Sequence, residues 1–124
     1  MANATTQLKF SASVQGRRIL VAATATPGTL IHTTGSGVST VVYDRLFIDA
    51  CNLDTVDRAL TIEFGGMTAP DDTITVTIPP KSGLVIVVDG DLLAGDGSSG
   101  LNVRAFCPTT NVVTVGGFVM RVTP

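Results

Sequence analysis

The stretch DTITVTIP, residues 72–79, alternates apolar and threonine side chains without a break. In an extended chain Ile74, Val76 and Ile78 fall on one side and Thr73, Thr75 and Thr77 on the other, which is the period of a half-buried β-strand. RALTIEF, residues 58–64, repeats the pattern, with Leu60, Ile62 and Phe64 inward and Thr61 and Glu63 outward. Helical periodicity is hard to find anywhere in the chain, and the β-branched residues Val, Ile and Thr dominate.

Other runs are apolar on both sides. VVYDRLFIDACN, residues 41–52, carries Leu46, Ile48 and Ala50 on one side and Phe47 and Cys51 on the other, between Arg45 and Asp49. GLVIVVDG, residues 83–90, is apolar throughout, and LNVRAFC, residues 101–107, sets Leu101, Val103 and Ala105 against Arg104 and Phe106. The last run, VVTVGGFVMRVT, is interrupted at Gly116-Gly117, a bulge or bend. In an antiparallel protein such strands need cover on both faces. A second sheet supplies one cover, and a neighbouring subunit is a candidate for the other.

Turn signals separate the runs: Thr34-Gly35-Ser36-Gly37, Gly65-Gly66, Pro70-Asp71, Pro79 to Gly83, Asp89-Gly90, Gly95 to Gly100 and Pro108 to Asn111. Short strands with regular turns predict an all-β antiparallel sandwich, and about eight of them from residue 29 onward suit a jelly roll. Residues 1–28 read differently, as an extended N-terminal arm plus an edge strand (QGRRILVAA) and a linker (ATATPG), with 29–124 as the sandwich domain. Ordering such an arm calls for a partner surface.

Glycine loops also raise the question of nucleotide binding, because GDGSSG, residues 95–100, is a literal G-x-G-x-x-G. That motif holds a pyrophosphate only where a strand precedes it and a helix follows. Here LNVRAFC follows, another strand, so the segment reads as a turn. Asp89, Asp91 and Asp96 lack the spacing of an EF-hand and its closing Glu. The one histidine, His32, is the member that a Ser-His-Asp triad would have to use, but no serine sits in a G-x-S-x-G elbow. Cys51 and Cys107 each lie in an apolar run. A disulfide is open to them, but buried thiols acting as small hydrophobes are the preferred reading. One histidine and two distant cysteines do not make a zinc site. The expectation is a protein that is not an enzyme and carries no cofactor or metal.

The surface points to assembly. Charged residues are 15% of the 124, against about 25% in a typical soluble domain. Such a surface suits a subunit that buries much of itself on other chains. A net charge of −2, no basic run and few aromatics speak against nucleic acid. No apolar run approaches the ~20 residues of a membrane helix. MANATTQLKF lacks the pattern of a signal peptide, so synthesis in the cytoplasm of the host cell is expected.

The stretches GTLIHTT, YDRLFIDACNLDTVDRALTIEFGG, TIPPKSGLVIVVDG and GLNVRAFC together resemble small β-sandwich virion proteins of tailed bacteriophages, nearest the head decoration, or cement, group. The resemblance covers about residues 28–122 and rests on structural motifs. It implies a homotrimer on the outside of the capsid, bridging subunits of the major capsid protein and bracing the shell. Similar sandwiches form tail, fibre and baseplate components. A carbohydrate-binding module is a further alternative, but it usually needs exposed aromatic platforms, and this chain has one Tyr and no Trp. The candidate contacts lie in the N-terminal segment: Phe10, Ile19 and Leu20 as apolar anchors, and Arg17 and Arg18 for acidic patches. On this reading, removing residues 2–15 abolishes particle binding and leaves the fold intact.

Overall fold

The computed structural model describes residues 4–38 and 42–124. Residues 1–3 of the N-terminal segment, and Val41 at the head of the run read as 41–52, lie outside the described residues. Among the described residues are nine strands: β1 Ala4–Leu8, β2 Ile19–Leu20, β3 Thr29–Thr33, β4 Tyr43–Asn52, β5 Arg58–Phe64, β6 Thr73–Ile78, β7 Val85–Leu93, β8 Asn102–Phe106 and β9 Val113–Thr123. They form two antiparallel sheets, a β-sandwich. In the first, β1 and β2 both pair with β9, followed by β4 and β7; the order of the second is β3-β8-β5-β6. From β2 onward, every connection except the β5–β6 hairpin crosses from one sheet to the other.

The long strand β4 shows how the sequence makes this shape. Its even positions, Asp44, Leu46, Ile48, Ala50 and Asn52, are buried, and its odd positions face outward. Leu46, Ile48 and Ala50 meet Val115 and Val119 of β9 and, from the opposite sheet, Leu60, Ile62, Ile78, Val103 and Ala105 in one core. The polar ends of the inward row join the two sheets. Asp44 Oδ2 bonds His32 Nε2 of β3 at 2.8 Å. At the other end Asn52 Nδ2 donates to the Ile78 carbonyl of β6 at 2.9 Å and to the Val56 carbonyl at 2.8 Å.

Residues 4–28 are stitched into this sandwich. β1 and β2 lie one after the other along β9, with Leu8 opposite Val119 and Ile19 opposite Val115. Seven strands follow residue 29, and β1 with β2 completes the edge of the first sheet. Between β1 and β2 the chain leaves the sheet, and Phe10 turns into the core, where 1% of it remains exposed. The space for its ring comes from Gly117, whose φ is +135°. A Cβ there would stand 3.2 Å from the Phe10 ring and would collide with the Phe47 carbonyl oxygen. Val21 is buried in the same core, so one core spans both parts of the chain. The linker is pinned as well: buried Glu63 accepts from Gly28 N–H at 2.7 Å and Thr26 Oγ1 at 2.5 Å.

The expectation that residues 2–15 can be removed without loss of fold is therefore reversed. Truncating a buried Phe costs about 3–5 kcal/mol. Phe10→Ala is expected to lose that much in urea unfolding, and removal of residues 2–15 to leave no cooperative transition. An unfolding midpoint for Phe10→Ala equal to that of the parent would refute this placement.

Candidate functional site

The five residues singled out in the sequence separate in space. Phe10 packs against His32, with ring centroids 6.0 Å apart, so it anchors its own chain and offers nothing to a neighbour. Ile19 is half-buried against the core. Arg17 is exposed on the 9–18 excursion, beside Val14, which is 68% exposed. Arg18 lies across Gly116 on the outside of the first sheet. Its Nη1 reaches Asp49 Oδ1 at 2.6 Å, and its Nε and Nη2 donate to the Thr114 hydroxyl and carbonyl, each at 3.0 Å. Leu20, opposite Thr114, is exposed on that same face.

Arg18 and Leu20 border a larger surface. The outward residues of β4 pair across β9 in register: Cys51 with Thr114, Asp49 with Gly116, Phe47 with Phe118, Arg45 with Met120 and Tyr43 with Val122. Phe47 and Phe118 stack nearly parallel, 4.7 Å apart and inclined by 12°. β7 adds Ile86 opposite Asp49, 70% exposed, and Leu92 opposite Arg45. Two hollows flank the aromatic pair. One, of about 240 Å³, is walled by Phe47, Phe118, Ile86 and Val88. The other, of about 400 Å³, is walled by Tyr43, Arg45, Phe47, Met120 and Val122. Asp49 and Asp89 also line the first hollow, so the face is an aromatic and apolar patch with charged groups set into it, a composition that protein interfaces carry.

Across β5 and β6 the second sheet presents a different exterior. Thr61, Thr73, Thr75 and Thr77 line it, and the hydroxyls of Thr61 and Thr75 are bonded at 3.2 Å. The outward threonines of DTITVTIP face solvent, as the alternation predicts. The phenylalanines of the first sheet, Phe47 and Phe118, lie half-buried on its exterior.

His32 sits in a different setting. A bulge in the pairing of β3 with β8, between Leu30 and His32, turns both Ile31 and His32 inward. The ring nitrogen Nδ1 accepts from Ser11 N–H at 3.0 Å, which leaves Nε2 to donate to Asp44. The Ser11 hydroxyl accepts from Thr33 N–H at 2.7 Å. Both ring nitrogens are engaged and the ring is 2% exposed, so the arrangement is a strut between sheets. Arg121 completes it, donating from Nε to Asp44 Oδ1 at 2.7 Å and from Nη2 to Oδ2 at 2.9 Å. Burial alone would push the Asp44 carboxyl up. The hydrogen bonds from Arg121 and His32 outweigh that and hold it at about 2, below the ordinary 3.8.

Among the described residues, no group of three or more His, Cys, Asp or Glu stands together to hold a metal ion. Both cysteines are free thiols, Cys107 inside the core and Cys51 on the outer face. The GDGSSG segment follows β7 and leads into β8. Asp96 Oδ1 folds it by accepting from Ser98 and Ser99 N–H, at 2.9 and 2.8 Å. Compared with known proteins, the chain matches no family model, no curated protein and no solved structure.

A carboxyl with a lowered folded pKa stabilises above its unfolded value and loses that contribution as the pH falls through the folded one. Asp44 therefore supports the fold above pH 3.8, and its support fades toward pH 2. The amount is on the order of 2 kcal/mol. Asp44→Asn is expected to lose about 3 kcal/mol at neutral pH, because Arg121 keeps its charge without a partner. The variant's urea stability is also expected to fall less steeply below pH 4 than the parent's. Parallel pH profiles for the two proteins would rule out this role for Asp44.

Proposed function

We propose that the chain is a structural virion protein that binds the outer surface of a phage capsid and stabilises the shell by bridging capsid subunits. The observation that carries this reading is a charged fraction of only 15%, with an apolar exterior on the first sheet around the stacked Phe47 and Phe118 that suits burial against another subunit, of the shell or of the same assembly. A protein built this way works by burying surface on other subunits. The sheet orders support a jelly roll, with β1 and β2 together as one edge strand of eight in two four-strand layers. The resemblance to head decoration proteins supplies the shell, the major capsid protein as partner and a homotrimer as the form that docks.

The N-terminal contact is narrower on this reading. Its free part is the 9–18 excursion with Val14 and Arg17, joined by Leu20 at its end. Multivalent docking adds avidity to a modest single contact. Hundreds of equivalent sites on a shell let one small protein reinforce it throughout.

Copy number tests the reading. Particles from the source are expected to contain this chain in a ratio near one to one with the major capsid protein, measured by quantitative mass spectrometry. A handful of copies per particle moves it to the tail, fibre or baseplate. Absence from particles removes the virion reading.

A further inference from the structure

We infer that the exterior of the first sheet is the surface through which copies of this chain meet, so that its occupant is a second copy and the shell binds elsewhere. This goes further than the proposed function and stands whether or not the assembly docks on a capsid.

Three features of the face favour a second copy. The first is relief. The Phe47–Phe118 stack forms a ridge between two hollows of about 240 and 400 Å³. Ile86 and Leu92 project beside them, so one surface carries both the projections and the recesses that a neighbouring copy can engage. The second is charge. Arg18 is already neutralised by Asp49 within the chain. Arg45 and Asp89 stand beside Phe47, along its strand and across from it, and neither has an ion-pair partner among the described residues. The face therefore offers one free positive and one free negative group, matched to a copy of itself rather than to a strongly charged partner.

The third feature is size. Four neighbouring strands at a spacing of ~4.8 Å, along a strand of ~3.3 Å per residue, give a face of roughly 600 Å². Two such faces would bury on the order of 1,200 Å², the lower bound of a stable specific interface. Across β5 and β6 the second sheet presents threonines rather than apolar side chains, two of them, Thr61 and Thr75, bonded to each other.

The test is the mass of the full-length protein in solution, by sedimentation equilibrium over a concentration series. Two or more chains per particle are expected up to about 100 μM. Ile86→Arg is expected to weaken the association on the order of a hundredfold, since it places a charged side chain in the hollow beside the aromatic pair. Ile86 is 70% exposed, so the variant keeps its fold, which its circular dichroism and melting temperature verify. Thr75→Arg, on the opposite exterior, is expected to leave the mass unchanged. A monomer at every concentration, or an oligomer that Ile86→Arg leaves intact, overturns the inference. A monomer whose binding to particles is lost in Ile86→Arg also overturns it and assigns the face to the shell. Absence from particles combined with an Ile86-dependent oligomer removes the capsid reading and leaves this one standing.

Discussion

Everything in this sandwich hangs on β4 and on the two polar bolts at its ends. Asp44 reaches His32 across to the second sheet and Arg121 within its own. Asn52 reaches the Ile78 carbonyl at the far end of the same strand. Between them the inward row is wholly apolar: Leu46, Ile48 and Ala50. Apolar packing is non-directional and fixes no register by itself. A buried polar side chain left without its partner is costly, so the bolts specify where β3 and β6 sit along β4. A slip of one residue in β4 would turn Asp44 and Asn52 to the outside and bring Arg45 and Asp49 into the core.

The odd positions of β4 are free to do something else because the even positions complete the core. Arg45, Phe47, Asp49 and Cys51 contribute nothing to the interior. A strand that only had to fold could carry threonine at such positions, as β6 does. β4 carries phenylalanine instead, and β9 stacks a second one against it. The same economy holds for Ile86, at 70% exposure the most exposed large apolar side chain among the described residues. Their placement on one face, rather than scattered, is what separates an interaction surface from ordinary surface apolarity.

Much of this was legible in the sequence. Period-two alternation located β5 and β6 within a residue or two, and the two-sided apolar runs marked β4, β7 and β9 as strands with apolar side chains on both faces. The N-terminal segment was not legible, for a physical reason. Phe10 stands in a short stretch that reads as having little to bury, and the core that takes it is built by distant strands, with Gly117, more than a hundred positions away, against the tip of its ring. Local pattern carries no record of such a pairing. The burial of His32 was hidden too, because strict alternation would set neighbouring Ile31 and His32 on opposite faces, and a bulge turns both inward. Phe47 and Phe118 lay in view as apolar residues, but only the β4–β9 register brings them face to face.

The two exteriors also bear on how such a chain avoids indiscriminate association. A charge-poor sandwich with exposed edges invites pairing by backbone hydrogen bonds. Here the β9 edge of the first sheet is capped by β1 and β2, with the 9–18 excursion between them. The N-terminal segment therefore moves that edge from the long β9 to the short strands β1 and β2 while feeding Phe10 to the core. On that side of the sheet the short edge strands offer little backbone for indiscriminate pairing. The pairing of Phe47 with Phe118 on the outer face in turn rests on β4 keeping the register that Asp44 and Asn52 impose.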